Sequence, residues 1–193
     1  TELYYSDPNT LGRTDLRAEE GWTIDGGADW ELGPWSATAS VFGRWDQDVI
    51  DFVRPEPSVR FQATNVRDVR ARGLEVSISR RWARALVRAS YAALDIDAPD
   101  LMIESRYVLE YARHQTSLSV AGPLGAGLRG ALTVDQRLRR DGQHYALVGG
   151  RVSRTIGRLD IFLDATNLFD VEYTEIAGVA MPGRWASIGV TIR

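Results

Sequence analysis

Asn167-Leu168-Phe169-Asp170 ends one alternating segment of this chain, and Gly183-Arg184 opens the last one. The loop between them contains Tyr173 and Gly178. One face of the last segment carries apolar side chains, those of Ala186, Ile188, Val190 and Ile192. Because successive side chains of a strand point to opposite faces, this alternation predicts a β-strand. Two such strands joined by a long loop, the second closing the chain, are typical of the end of a transmembrane β-barrel.

The same alternation recurs along the chain, and no segment between its occurrences predicts a helix. It predicts nine strands, over residues 19–32, 35–47, 70–81, 84–95, 106–121, 127–138, 144–154, 158–168 and 183–193. Their links alternate between tight turns, such as Gly33-Pro34 and Gly122–Ala126, and generally longer loops, such as 48–69. Outer-membrane barrels have short periplasmic turns and long extracellular loops. The chain is therefore predicted to be all-β, forming an antiparallel up-and-down transmembrane β-barrel whose last strand ends in the periplasm.

Tryptophans lie at both ends of the apolar face in the first two predicted strands. Trp22 and Trp30 bracket one strand, and Trp35 and Trp45 bracket the next. The segment from Trp22 to Trp30 spans roughly 26 Å, or about 20 Å of height at a tilt of about 40°. That height is close to the apolar band of about 25 Å that aromatic girdles flank in membrane barrels. Trp30, Trp35 and Trp82 lie near tight turns, which predicts a periplasmic girdle.

The opposite face of the predicted strands is polar, and we expect it to line the lumen. Charge that faces lipid near the midplane costs about 2–4 kcal/mol, so charged residues should take this register. The residues predicted on these grounds to face the lumen are Arg44, Glu75, Arg88, Arg113, Arg129 and Arg151. Phe42 and Phe162 fall on the same polar face, against the pattern.

The bulk composition excludes some classes of protein. The 193 residues are 44% hydrophobic and 25% charged, with no run of about 18 apolar residues that a membrane helix needs. The net charge is −3 and the charges are interspersed, so no basic block suggests nucleic acid. Cysteine is absent, which removes disulfides and thiolate chemistry. The chain begins Thr1-Glu2-Leu3 without a starting Met or signal peptide, so we expect a mature form or a fragment.

The sequence offers little for chemistry. Residues 125–130 match G-x-G-x-x-G, but a turn precedes them and an alternating strand follows, whereas nucleotide binding requires a helix there. Acidic residues in the predicted loops lack the spacing of a calcium-binding loop. His114 and His144 lack a third ligand candidate. We therefore predict no catalytic residue, no cofactor, no metal site and no enzymatic activity.

Several short segments resemble motifs of TonB-dependent outer-membrane receptors. Residues 16–20 resemble the family's L-x-P-E entry to a strand, with Ala18 in place of proline, and Val49–Phe52 resemble its D-L-I segment. Asn65, followed by Arg72–Glu75, resembles the stretch N…x-G-x-E. The C-terminal residues that complete the resemblance are Asn167, Leu168, Phe169, Asp170, Tyr173, Gly178, Gly183 and Arg184. In this order and spacing, the segments together are specific.

The resemblance implies a barrel of roughly 22 strands, plugged by an N-terminal domain. Nine strands are too few and odd in number, so residues 1–193 are expected to form the C-terminal portion of such a barrel, without the plug domain and first strands. The implied function is TonB-energised uptake of a scarce nutrient, such as a ferric siderophore or cobalamin, across the bacterial outer membrane. The implied partners are outer-membrane lipid, a metal chelate or similar small molecule, and the TonB complex through the missing N-terminal region.

Ligands of such receptors meet the extracellular loops and the apex of the plug. The predicted loops 48–69, 96–105 and 171–182 are therefore the candidates for substrate contact. Within or beside them, Arg54, Arg60 and Arg106 are the cations expected to attract an anionic chelate, although solvated loop arginines are the commoner case.

Two other classes of function stay open from the sequence. One is a complete small outer-membrane barrel that acts as a porin, an adhesin or a structural anchor. An upstream plug domain in the gene would exclude it. The other is a soluble β-sandwich or barrel that binds a ligand, and it predicts solubility without detergent.

The last residue, Arg193, falls on the polar register of its strand. Many outer-membrane barrels end on an aromatic residue that faces lipid at the periplasmic girdle, where an amphipathic ring is favoured. We therefore expect the natural protein to continue by one residue, Phe or Trp.

Overall fold

The computed structural model describes residues 2–66, 68–97, 104–106, 111–176 and 179–192. Gly178, Arg193 and most of the predicted loop 96–105 lie outside this part of the chain, so the predictions made for them stay predictions. Among the described residues, no helix is long and apolar enough to cross a membrane.

Nine strands form one large antiparallel sheet. They are β2 (Glu20–Leu32), β3 (Trp35–Gln47), β6 (Val69–Trp82), β7 (Ala85–Asp97), β9 (Ala112–Gly125), β10 (Leu128–Arg139), β11 (His144–Ile156), β12 (Leu159–Thr166) and β15 (Trp185–Ile192). Their spatial order follows the chain, from β2 at one edge to β15 at the other, and these two edges do not pair with each other. The molecule is an open, up-and-down barrel wall, which confirms the predicted all-β fold.

Six short strands lie outside the large sheet, one before β2 and the others in the connections between the long strands. They are β1 (Thr10–Leu11), β4 (Ile50–Arg54), β5 (Phe61–Asn65), β8 (Glu104–Ser105), β13 (Thr174–Ile176) and β14 (Val179–Ala180). The first four form a small sheet in the order β1-β5-β4-β8, which we call the loop sheet. Strands β13 and β14 pair within the last loop. The sequence predicted only loops here, because strands this short pair with distant segments that local patterns do not reveal.

The two ends of the wall differ, as the alternation of links predicted. Tight turns occupy one end, the turn end, at residues 33–34, 83–84, 126–127 and 157–158. The other end, the loop end, carries the loop sheet and the last loop. One link at this end is also short: residues 140–143 connect Arg139 at the end of β10 to His144 at the start of β11.

Two predicted boundaries around β9 were wrong. The strand begins at Ala112 rather than at residue 106, and it continues through the predicted turn to Gly125. Pro123 lies within β9 opposite Arg129, beside a shift in register. Proline donates no backbone hydrogen bond and is tolerated in sheets at such irregular positions, so it did not mark the turn. The turn itself is Ala126-Gly127, with both residues at positive φ.

Strand pairing fixes two faces of the large sheet. Trp22 lies opposite Trp45, and their rings stack with centroids 4.1 Å apart. Leu163 lies opposite Ile188 in the same register. We call this side the apolar face. The other side, the polar face, carries hydroxyl pairs across strands, such as Thr38 with Ser77 at 2.8 Å between oxygens.

The pairing also tests the register predicted for six charged residues. Five of them take the polar face, opposite the face of the tryptophans; these are Arg44, Glu75, Arg88, Arg129 and Arg151. The sixth, Arg113, lies where the register between β9 and β10 shifts, so it has no opposite residue and its face stays a prediction.

Phe42, one of the two predicted exceptions, lies on the polar face directly opposite Gly73. A Cβ on Gly73 would overlap the Phe42 ring, so the ring fills the space above a residue that has no side chain. An aromatic ring over a cross-strand glycine packs within the sheet itself, and it needs no apolar neighbour from another layer.

The buried core lies at the loop end rather than within the large sheet. Most of the buried hydrophobic residues among those described belong to the loop sheet or its flanks, namely Val53, Phe61, Ala63, Val66 and Val69. Large side chains on the apolar face are exposed instead, Trp30 at 58% and Ile188 at 77%. Because the apolar face of this sheet is so exposed, we expect it to contact apolar surroundings rather than water.

Candidate functional site

The loop sheet is organised around the buried ring of Phe61. The guanidinium carbon of Arg54 lies 4.3 Å from the ring centroid, and that of Arg106 lies 5.4 Å from it. Two of the three predicted substrate-contact arginines are therefore brought together on one aromatic side chain. Cation–π contacts of this kind hold a guanidinium in place.

Both of these arginines also have polar partners inside the loop sheet. Arg54 donates to the carboxylate of Glu104 through Nε at 2.7 Å and through Nη2 at 2.9 Å. These hydrogen bonds raise the pKa of Arg54 above its ordinary value. Arg106 donates to the hydroxyl of Thr10 at 2.9 Å. Since Arg106 directly follows β8, which contains Glu104, these contacts join that segment to β4 and to β1 in the N-terminal segment.

Arg60 is placed differently from the other two. Its side chain is exposed, and it donates a long hydrogen bond of 3.3 Å to the carbonyl of Asp7. Its backbone precedes β5, so it lies beside Phe61 in the chain, but its guanidinium is directed to the N-terminal segment. Arg60 is therefore the most accessible of the three predicted contacts.

Asn65 joins the N-terminal segment to the loop sheet. Its side-chain oxygen accepts from the backbone N–H of Arg17 at 2.9 Å. Its amide nitrogen donates to the carbonyl of Arg17 at 3.0 Å and to that of Asp48 at 2.6 Å. This asparagine, noted in the sequence as part of a motif, thus has an architectural role.

The last loop is held by the residues that open and close it. Asn167 is buried at positive φ, where its amide donates to the carbonyl of Val171 at 2.9 Å and its oxygen accepts from the Val171 N–H at 2.8 Å. Asp170 accepts from the backbone N–H of Arg184 at 2.6 Å. A Cβ on Gly183 would come 2.5 Å from the same carboxylate oxygen. The hydrogen bonds and the close approach at Gly183 therefore give asparagine, aspartate and glycine a structural role here.

The other residues of this motif differ in their surroundings. The N–H of Leu168 donates to the carbonyl of Val148 at 2.9 Å, which ties the start of the loop to β11. Phe169 is 74% exposed. Tyr173 packs against Tyr145, with ring centroids 4.8 Å apart.

A polar cluster forms where the last loop folds onto the polar face. Glu175 is paired with Arg137 and also accepts from the Tyr145 hydroxyl at 3.3 Å. The backbone N–H of Thr174 donates to the Gln143 side chain at 3.3 Å. Sequence reasoning missed this cluster. The signal available for it was that Arg137 and Tyr145 both fall in the polar register near the loop end.

Further toward the turn end, the polar face forms a shallow concave surface. A cavity of about 480 Å³ lies on it. Its polar lining includes Asp29, Thr38, Ser40, Glu75, Ser90 and Gln115. Carboxylates and hydroxyls dominate, so this part of the wall accepts hydrogen bonds and favours cationic or hydroxyl-rich contacts.

The two histidines have polar partners on the apolar face near the loop end. His114 Nδ1 lies 2.7 Å from the Tyr91 hydroxyl, and His144 Nε2 lies 2.6 Å from the Gln136 amide nitrogen. Within the part of the chain that the structure describes, no group of three or more His, Asp or Glu side chains is placed to hold a metal ion.

The model of a known family, described as TonB dependent receptor-like, beta-barrel, matches residues 1–173. A comparison with curated protein sequences finds no match. Among solved structures, similar ones include the copper transporter OprC, with a TM-score of 0.71, 18% identity, and coverage of 91% of this chain and 32% of that one. The FrpB iron transporter of Neisseria meningitidis (F3-3 variant) gives 0.67 at 14% identity, covering 94% and 31%. The siderophore receptor PirA of Acinetobacter baumannii gives 0.66 at 13%, covering 93% and 32%. This chain therefore spans about a third of the length of these structures.

Proposed function

Because this chain belongs to the TonB-dependent receptor β-barrel family, we propose that it forms the C-terminal barrel wall and extracellular loops of an outer-membrane active-transport receptor. In this proposal the apolar face meets lipid and the polar face lines the lumen. The turn end lies in the periplasm and the loop end outside the cell. The protein is a transport receptor rather than an enzyme.

One observation carries the proposal: a sheet with an exposed apolar face, a polar face of hydroxyls and charges, and a folded loop sheet at one end only. A soluble ligand-binding β-protein would cover its apolar face with a second layer, whereas Trp30 and Ile188 are exposed here. A complete small barrel would pair β2 with β15, yet these strands are the two edges of the sheet. Both alternatives are therefore less well supported.

The proposed cargo is a scarce nutrient carried as a metal chelate, such as a ferric siderophore, or cobalamin. The similar structures include proteins named as copper, iron and siderophore transporters, which supports a metal-linked cargo without identifying it. Energy would come from the TonB complex, through an N-terminal region outside this chain. Of the predicted contacts, Arg60 is best placed to meet an anionic chelate, because its guanidinium is exposed.

Uptake by a strain that lacks the gene tests the proposal. We expect loss of uptake of one radiolabelled candidate among ferric catecholate, ferric hydroxamate, ferric citrate, copper chelate and cobalamin. The complementing gene should restore uptake, and a protonophore should abolish it. Uptake that persists with the protonophore would indicate a porin and contradict active transport, as would unchanged uptake of every candidate in the deleted strain.

A further inference from the structure

Arg80 is a charged residue on the apolar face at the turn end. It lies opposite Trp35 across the strands and two residues before Trp82 on the same face. Its guanidinium carbon is 4.8 Å from the Trp35 ring centroid and 5.8 Å from that of Trp82. The side chain is exposed, and among the described residues no carboxylate or carbonyl accepts a hydrogen bond from it. The rings of Trp35 and Trp82 thus contact the guanidinium, and its N–H groups can donate to a group outside the protein.

The charges near this end are segregated by face. On the apolar face near the turn end, the cations are Arg80 in β6 and Arg154 in β11, and the adjacent turns carry Arg84 and Arg158. The acidic side chains close to the same turns, those of Asp29, Glu31 and Asp160, all belong to the polar register. The outward rim of the turn end is therefore cationic, without a neutralising carboxylate among the described residues.

The outward rim of the loop end differs in this respect. There Arg72 donates to Asp95 at 2.7 Å, and Arg70 lies opposite Asp97. Both of these arginines have an acidic neighbour on their own face. Among these outward arginines, the uncompensated charge is therefore found at the turn end.

We propose that Arg80, held between Trp35 and Trp82, binds the phosphate of an anionic glycerophospholipid in the periplasmic leaflet. Tryptophan rings are favoured at the level of the headgroups, so the site lies at the depth where phosphates occur. A guanidinium presents a fork of N–H donors that matches phosphate oxygens. Arg84, in the adjacent turn, adds positive charge that favours a headgroup with net negative charge over a zwitterionic one. The proposal rests on the outer-membrane placement proposed above.

Native mass spectrometry of the longer receptor that we propose contains this chain tests the site. The detergent-solubilised receptor is incubated with phosphatidylglycerol or phosphatidylcholine, and the bound lipids are counted. We expect a preference for phosphatidylglycerol and an affinity about fivefold lower in Arg80→Gln, since one arginine near an anionic surface contributes on that scale. Arg72→Gln is the matched control, an outward arginine of the other rim, and its phosphatidylglycerol affinity should be unchanged.

Equal binding of the two lipids by the wild type would overturn the proposal, as would equal phosphatidylglycerol affinity in Arg80→Gln and the wild type, or an equal loss in Arg72→Gln. If Arg80→Gln does not fold, the phosphatidylglycerol affinity of Arg80→Lys tests the proposal instead. Lysine keeps the positive charge but lacks the planar fork of N–H donors. A lower phosphatidylglycerol affinity in that variant supports the site, and an unchanged one overturns it. The experiment needs no nutrient, so its failure leaves the transport proposal standing, and failure of uptake leaves the lipid result standing.

Discussion

The ring of Phe162 lies over Gly189 on the polar face, where β12 pairs with the last strand, β15. A Cβ on Gly189 would overlap this ring. On its other side β12 pairs with β11, which contains Arg151. The guanidinium carbon of Arg151 lies 3.8 Å from the centroid of the Phe162 ring. The phenylalanine that broke the alternating pattern therefore joins three strands at the end of the chain.

Gly189→Ala is expected to destabilise the receptor by about 1–3 kcal/mol, because the added methyl group must displace the Phe162 ring. Urea unfolding of the receptor in lipid vesicles measures the change in free energy. The double variant Phe162→Ala/Gly189→Ala removes the overlap, so the two changes should be strongly non-additive. Simple additivity would contradict the packing described.

Asn167→Ala should destabilise the last loop by about 1–3 kcal/mol, since it leaves the part-buried backbone N–H and carbonyl of Val171 without their side-chain partner. Limited proteolysis of the loop in the intact receptor should show faster cleavage. Phe169→Ala, two residues away in the same motif, is the control. Its ring is largely exposed, and we expect no change in cleavage rate. Equal cleavage of both variants would show that Asn167 does not hold the loop.

Arg54→Gln and Arg60→Gln should have different effects. Arg54 is paired with Glu104 at the loop sheet, so its loss should loosen that sheet, seen as faster proteolysis of residues 55–60. Arg60→Gln should leave proteolysis unchanged and lower the apparent affinity for the transported chelate. If Arg60→Gln leaves uptake kinetics unchanged for an anionic chelate, the proposed contact is wrong.

The sequence predicted the large sheet well and the loop end poorly, for a physical reason. Alternation is a local property, so all nine long strands, and the face of five of the six charged residues tested, could be predicted from it. The loop sheet depends on pairings such as Thr10 with Phe61 and Arg54 with Glu104, which no local pattern encodes. The motif residues Asn167 and Gly183 were found by resemblance alone, and only the geometry gives their reason. Pro123 misled the turn assignment because it sits at an irregular strand end.

The central claim is that the apolar face of this wall lies in lipid and the polar face lines the lumen. Spin labels attached to single cysteines along β9, from Ser117 to Val120, test it in the receptor embedded in its native membrane. This chain has no cysteine of its own to interfere. Collisions with oxygen, which concentrates in lipid, should be frequent at Leu118 and Val120 and rare at Ser117 and Ser119. Loss of the two-residue alternation, or its inversion, would contradict the account.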